Sequence, residues 1–284
     1  MKFVNLSGLP RSGSTLLGNI LNQHPDITAC MDSSLSSIIT NISDHSQKIY
    51  NESQFTINQY EILYRDFMRS GIKSWTYNLC DTEIYLDKDR SWAVDYALLF
   101  KLIPDAKVIF LMRDLRGVIS SFEKIEGNRR ILPSNEYLRP DDRDGYHHVD
   151  LMIERVDKWL NDDMIYTPLY AIKEILDCNW KYYKNFKFIR YEDYIENPRK
   201  ILSGIYDFIG AKSFDNNLND IKQVKYNDGC YAPYGIHTIR PKLVPNKVDC
   251  EFPLLKDEAQ ERIIDTCSWY YEEFYPEVYE KYKN

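Results

Sequence analysis

Hydrophobic and polar positions follow two rhythms along this chain. "KFVNLSG" (2–8) is a short apolar run that reads as a strand, and the "STLLGNILNQH" behind it reads as a helix. Leu16, Leu17, Ile20 and Leu21 form its apolar stripe, and His24-Pro25 ends it. Residues 33–80 are polar and rich in Tyr, Ser and Asn, with a weak helical period that fits two helices. "EIYLDK" (83–88) predicts a short strand and "DYALLFKLI" (95–103) a helix stopped at Pro104. "AKVIFLMRD" (106–114) is a continuous apolar strand of the kind buried in a parallel sheet, and "RGVISSFEKI" (116–125) opens another helix. Residues 126–148 read as a charged loop without period, a length that in a compact domain marks function or disorder. Helices follow at about 149–161 and 166–178. "KNFKFIRYED" then reads as a strand, and "NPRKILSGIYDFIG" as a helix with Pro198 in its first turn and Gly210 at its end. Residues 212–254 read as irregular, and a Tyr-rich helix closes the chain from about 255. With no internal repeat and no clear linker, the expected fold is α/β. A single domain over 1–284 would hold a mainly parallel sheet flanked by helices, with inserted loops.

Composition narrows the class. The 284 residues can bury a substantial core, and 44% hydrophobic with 28% charged residues is ordinary for a soluble globular protein. A net charge of −7 argues against nucleic acid as a partner but permits a local basic pocket. The six cysteines (Cys30, Cys80, Cys178, Cys230, Cys250, Cys267) are scattered without a Cys-x-x-Cys pair, so neither a metal site nor a disulfide framework is expected. Buried thiols in a reducing compartment fit better. No apolar run approaches the roughly 20 residues that span a bilayer, and no leader pattern precedes the first strand. The expectation is a soluble, cytoplasmic protein, with its oligomeric state open.

The candidate chemistry begins in "GLPRSGSTLL" (8–17). Gly8 and Gly13 have phosphate-loop spacing, and the strand–loop–helix context aims backbone N–H groups and a helix N-terminus at one point. Arg11 sits at the crown with a planar donor fork, and Ser12, Ser14 and Thr15 add hydroxyls. A nucleotide kinase would place lysine where this chain has Ser14, which argues against ATP or GTP as a phosphoryl donor. A second anion site lies in "VIFLMRDLRGVISSF". Arg113 ends a buried strand, where ligands of open α/β sheets gather, and Ser120 or Ser121, the latter eight residues later, comes from the next helix. Pairing of Arg113 with Asp114 or Asp95 is the structural alternative. Together the two motifs describe a cradle for a ligand with two separate phosphate groups.

"GLPRSGSTLL", "PDAKVIFLMRDLRGVISSF" and "FIRYEDYIENPRKILSGIYDFIG" resemble, in order, the signature segments of the sulfotransferase family. The resemblance implies 3′-phosphoadenosine 5′-phosphosulfate (PAPS) as donor and a P-loop-like sulfotransferase fold. The first segment would hold the 5′-phosphosulfate, and Arg113 with Ser121 the 3′-phosphate, with no kinase lysine and no metal. Sulfuryl transfer needs a base, cations near the moving group and an aligned donor. Arg11 is the first cation. Lys88 in "YLDKDRSW" stands near the place of a lysine carried by many carbohydrate and protein-tyrosine sulfotransferases, or else belongs to a solvated charge run. Asp32 in "HPDITACMDSS" falls where tyrosylprotein sulfotransferases carry a catalytic glutamate, although "MDSS" replaces their paired glutamates, and helix capping is its alternative role. His147, His148 and His237 are further candidate bases on loops, since histidine serves in cytosolic small-molecule relatives. Tyr191 in "RYED" matches an aromatic that contacts the cofactor in some relatives. Arg240 and Lys242 in "YGIHTIRPK" lie where a late loop folds over the nucleotide. The acceptor would be a hydroxyl, less readily an amine, of a small molecule, glycan or peptide. The rival readings are a P-loop kinase or nucleotide hydrolase, and a non-catalytic nucleotide-binding scaffold.

Overall fold

The computed structural model describes residues 1–31, 33–51, 53–129, 149–178, 180–224, 238–245, 248 and 251–283. Among these residues five strands, β1 (Lys2–Gly8), β2 (Ile27–Cys30), β3 (Ile84–Asp87), β4 (Lys107–Met112) and β5 (Phe186–Arg190), form one parallel sheet in the order β2-β3-β1-β4-β5. The helices among the described residues are α1 (Ser14–Leu21), α2 (Leu35–Asn51), α3 (Ile57–Leu79), α4 (Ser91–Val94), α5 (Tyr96–Leu102), α6 (Leu115–Arg129) and α7 (Val149–Leu160). They continue with α8 (Asp163–Cys178), α9 (Trp180–Tyr183), α10 (Tyr191–Glu196), α11 (Pro198–Ile209), α12 (Asp257–Thr266), α13 (Ser268–Phe274) and α14 (Pro276–Lys283).

The two-residue period of each strand divides the core into two layers. Val4 and Leu6 of β1, Ile84 and Leu86 of β3, and Ile109 and Leu111 of β4 face one side. There they meet Leu17, Ile20 and Leu21 of α1 and Leu202, Ile205 and Ile209 of α11. Phe3, Tyr85, Val108, Phe110, Met112 and Phe186 face the other side and pack against α4 to α8 and the C-terminal α12 and α13. Each fully buried aliphatic side chain contributes roughly 1.5–3 kcal/mol over an exposed one. Because α1 turns to the first layer and α6 to the second, the turns leaving the neighbouring strands β1 and β4 part at the carboxyl edge of the sheet. A crevice for a ligand opens at such a point.

The α/β architecture matches the expectation, with some boundaries moved. The short strand β2 was not anticipated; it pairs only with β3, and its four residues "ITAC" are bracketed by polar sequence. "YED" does not extend β5 but opens α10, with Glu192 and Asp193 in its first turn where acidic groups favour the helix dipole. Residues 126–129 belong to α6 rather than to a loop, while 130–148 lie outside the described residues. The Tyr-rich C-terminus is three short helices, not one.

Register places the future site. Gly8 pairs with Leu111, and the Leu9 N–H donates to the Leu111 carbonyl at 2.9 Å. A Cβ on Gly8, whose φ is 152°, would stand 2.5 Å from the Leu111 oxygen and 2.9 Å from its Cβ. Gly8→Ala should therefore cost about 2 kcal/mol or more through overpacking, read as a lower urea midpoint; an unchanged midpoint would mean the two strand ends are not in this contact.

Candidate active site

The loop after β1 is held from within. The Ser12 hydroxyl, fully buried, donates to the Leu9 carbonyl at 2.6 Å, so its role is to shape the loop and its hydroxyl is not turned outward. Gly13 is the N-cap of α1 in a left-handed conformation (φ 84°), and a Cβ there would lie 3.2 Å from two ring carbons of Tyr191. Only glycine satisfies both demands. The first bond of α1 runs from the Leu17 N–H to the Gly13 carbonyl at 3.0 Å. The amides of Ser14 and Thr15 precede it and, with the helix dipole, make an anion site. Arg11 takes a left-handed φ of 62°, a conformation that costs a non-glycine residue on the order of 1–3 kcal/mol and collects at functional sites.

Arg113, just past β4, meets this loop directly. Its Nη1 donates to the Arg11 carbonyl at 2.7 Å, and its guanidinium lies 4.6 Å from the centre of the Tyr191 ring. Arg11 in turn donates from Nε to the Ser121 Oγ at 3.0 Å. Arg11, Gly13, Arg113, Ser121 and Tyr191, five of the candidates read from sequence, thus form one contiguous cluster. Burial, and then the positive charge of Arg113, lower the pKa of Arg11, while Tyr191 works the other way. Both effects disfavour the charged form of the guanidinium. The alternative in which Arg113 is neutralised by Asp114 or Asp95 does not occur. Asp114 pairs with Arg116 at 2.6 Å and accepts the Arg116 N–H at 3.0 Å at the head of α6, and Asp95 accepts from Thr40 at 3.0 Å. Among the described residues no carboxylate pairs with Arg113.

Lys88 sits on the other side of β1, at the carboxyl end of β3. Its N–H donates to the Cys30 carbonyl at 2.9 Å and its Nζ to the Met31 carbonyl at 3.4 Å, so it is half-buried against the segment that leads into position 32. Asn5 of β1 fixes this turn by donating to the carbonyls of Asp87 (3.0 Å) and Asp89 (2.7 Å), and Ser7 donates to that of Arg90 (3.3 Å). The buried Asp87 carboxylate accepts from the Ser33 hydroxyl at 3.0 Å and the Trp92 indole at 2.9 Å. Asp32, His147, His148 and His237 lie outside the described residues. The capping-type bond at the head of α2 is made by Ser33, whose Oγ accepts the Leu35 N–H at 3.1 Å. Arg240 and Lys242 are exposed on a segment behind α1. Its Pro241 carbonyl accepts from Ile221 and its Leu243 N–H donates to Leu218, and neither basic side chain is bonded to the Arg11–Arg113 cluster.

Sequence reading passed over the groups beneath Arg113. Glu192 accepts the Asp114 N–H at 3.2 Å and the Tyr275 hydroxyl at 2.9 Å, and Tyr270 and Tyr271 reach the same turn. The available signals were the acid next to Tyr191 in "RYED" and the dense tyrosines of "SWYYEEFY". Among the described residues no group of His, Cys, Asp and Glu is placed to hold a metal, and no helix is long and apolar enough to cross a membrane.

Comparison with known proteins agrees with this geometry: the model of the sulfotransferase family matches residues 4–216. The chain belongs to the sulfotransferase family. No curated protein sequence matches significantly. Among solved structures, this sulfotransferase is similar to the sulfotransferase domain from the curacin biosynthetic pathway, at TM-score 0.51 and 18% identity over 94% of this chain and 97% of that one. It is also similar to a sulfotransferase from Mycobacterium avium, at TM-score 0.50 and 14% identity over 96% of this chain and 77% of that one. The sulfotransferase domain of the Synechococcus PCC 7002 olefin synthase matches at TM-score 0.49 and 17% identity over 94% of each chain. The likenesses to the curacin-pathway domain and the Mycobacterium avium protein extend the fold match beyond the 4–216 segment to nearly the whole enzyme.

Glu192 of the sulfotransferase is half-buried and its titration is shifted. Burial raises the pKa of Glu192 in spite of its hydrogen bonds. A carboxyl with a raised folded pKa holds its proton longer in the native than in the unfolded chain, so its contribution to stability is complete below the unfolded pKa and falls as pH rises through the folded one. Glu192→Gln should gain stability relative to wild type as pH climbs from about 4 towards neutrality, followed by urea denaturation across pH; a difference constant with pH would contradict the shift.

Proposed function

We propose that this sulfotransferase takes its sulfuryl group from PAPS and delivers it to a hydroxyl, less readily an amine, of a small molecule, glycan or peptide. The observation that carries the reading is the junction of Arg11 and Arg113, where two guanidinium groups converge on one loop and Arg113 meets no carboxylate among the described residues. Such a cluster fits an adenine nucleotide with phosphate at both ends better than a triphosphate with magnesium, for which the lysine is missing and Ser14 stands instead.

The residues divide as follows. The amides of Gly13, Ser14 and Thr15, the loop shaped by Ser12, and the Arg11 guanidinium would hold the 5′-phosphosulfate. Arg113 and Ser121 would hold the 3′-phosphate, with the Tyr191 ring as their floor. Bound PAPS supplies an activated sulfuryl group on a good leaving group. Arg11 and Lys88 bring positive charge to the oxygens around that group, where a preorganised donor acts most strongly in the transition state. Asp32, next to the Met31 carbonyl that Lys88 contacts, would take the acceptor's proton. Arg240 and Lys242 would add positive potential on the flank of α1.

The reading takes 1–284 as one sulfotransferase domain, because the C-terminal helices share a core layer with the sheet. The scattered cysteines, with Cys80 and Cys267 buried as thiols, suit a reducing, cytoplasmic setting.

Adenosine 3′,5′-bisphosphate, the spent donor, should raise the melting temperature far more than ATP. At about 100 times its dissociation constant it adds roughly 2.7 kcal/mol. Equal shifts would favour a kinase or hydrolase, and a shift with no sulfate transfer to a broad acceptor library would favour a nucleotide-binding scaffold. Arg113→Ala should abolish the preference for the 3′-phosphorylated nucleotide. Lys88→Ala should lower turnover about 10²–10³-fold while leaving bisphosphate affinity within a few-fold, measured by single-turnover sulfate transfer alongside titration calorimetry; equal loss in both would assign Lys88 to binding alone.

A further inference from the structure

The C-terminal helix α13 and the residue after it bring three tyrosine hydroxyls to the turn that carries Arg113. Tyr270 donates to the Arg113 carbonyl at 3.0 Å across 157 residues of sequence. Tyr271 donates to Asp114 Oδ1 at 2.9 Å, the carboxylate that also holds Arg116. Tyr275 donates to Glu192 Oε2 at 2.9 Å, and the other oxygen of Glu192 accepts the Asp114 N–H at 3.2 Å. All three tyrosines are buried.

Filling a core does not require these hydroxyls, since phenylalanine packs as well and brings no polar atom into it. A buried hydroxyl is costly unless it is bonded, and here each bond lands on, or one group away from, the same two residues, Arg113 and Asp114. The set grips both walls of the Arg113 position. Tyr270 and Tyr271 hold the backbone and carboxylate at the strand end. Tyr275 holds Glu192, whose neighbour Tyr191 supplies the ring under the Arg113 guanidinium. Arg190, stacked 4.3 Å from the centre of Tyr275 and paired with Glu277, ties the outer end of the clamp to β5 and α14.

We infer that Tyr270, Tyr271 and Tyr275 are positioning residues of the donor site, which set where the Arg113 guanidinium stands and so how well the enzyme selects a nucleotide carrying a 3′-phosphate. The inference rests on the reading of Arg113 given above. The C-terminal helices, which lie beyond the segment matched by the family model, are on this account part of the binding machinery rather than a cap on the core.

The test compares affinities for adenosine 3′,5′-bisphosphate and adenosine 5′-monophosphate by calorimetry, on the full chain. In Tyr270→Phe the ratio of the two affinities should fall about tenfold, a loss of about 1.4 kcal/mol, with monophosphate affinity within twofold of wild type. A merely structural tyrosine would lower the melting temperature, or both affinities together, and leave the ratio intact; that result overturns the inference alone. A wild-type protein that binds the two nucleotides equally overturns the reading of Arg113 and this inference with it. If Tyr270→Phe does not fold, Tyr275→Phe gives the same comparison, because its hydroxyl reaches the site only through Glu192, and an unchanged ratio there is equally fatal.

Discussion

Two neighbouring parallel strands end at the same height with no side chain between them, and the site depends on that contact. Gly8 lies against Leu111 so closely that a methyl group could not be inserted, and the next residues of each strand carry the chain outward on opposite faces of the sheet. Because the strands are locked in this register, the crown of the first loop and the residue past β4 come together, and Arg113 reaches the Arg11 carbonyl. A shift of one residue in β4 would turn Arg113 to the other face of the sheet and dismantle the cluster.

Bringing two guanidinium groups together is unfavourable, and the contacts around them offset part of this, with no carboxylate pairing with Arg113 among the described residues. The Arg11 carbonyl faces one guanidinium, the Tyr191 ring lies beneath it, and the Ser121 hydroxyl receives the other. These are dipoles and a ring quadrupole, which hold a cation in place and, at Arg113, leave its charge available to an anion. The acid nearest in sequence, Asp114, is kept from Arg113 by three other commitments: Arg116, the head of α6 and Tyr271. Those commitments are what separate an anion site from an ordinary surface ion pair.

Much of this was legible in the sequence, and the reasons differ by element. The β1–loop–α1 unit could be read because it is local: an apolar strand, glycines at positions of close approach and positive φ, and a helical stripe within twenty residues. β4 and α6 were readable from a continuous apolar run followed by a change of period. β2 escaped because a four-residue edge strand takes its identity from its partner β3 rather than from its own pattern. Tyr191 was found through its motif, but its neighbour Glu192 was not, since the value of that acid lies in contacts with Asp114 and Tyr275 from remote parts of the chain. The tyrosines of α13 look like core residues in any window of sequence. Only the tertiary fold shows that their hydroxyls point at one turn.

The side of the site around Lys88 is built by a different device, which explains an oddity in β1. A central strand of a parallel sheet is expected to be apolar throughout, yet β1 carries Asn5 and Ser7, both buried, on the face it shares with Phe3. An unbonded polar group there would cost on the order of 1–3 kcal/mol from the core. The Asn5 Nδ2 and the Ser7 hydroxyl instead donate to carbonyls of residues 87–90, the turn that carries Lys88 past the end of β3, while Asn5 Oδ1 is left without a partner among the described residues. The strand whose C-terminus makes the anion loop thus also reaches sideways, with alternate side chains, to hold the second cationic turn. One element fixes the relative position of Arg11 and Lys88, which is what the proposed action of the two cations on one sulfuryl group would require.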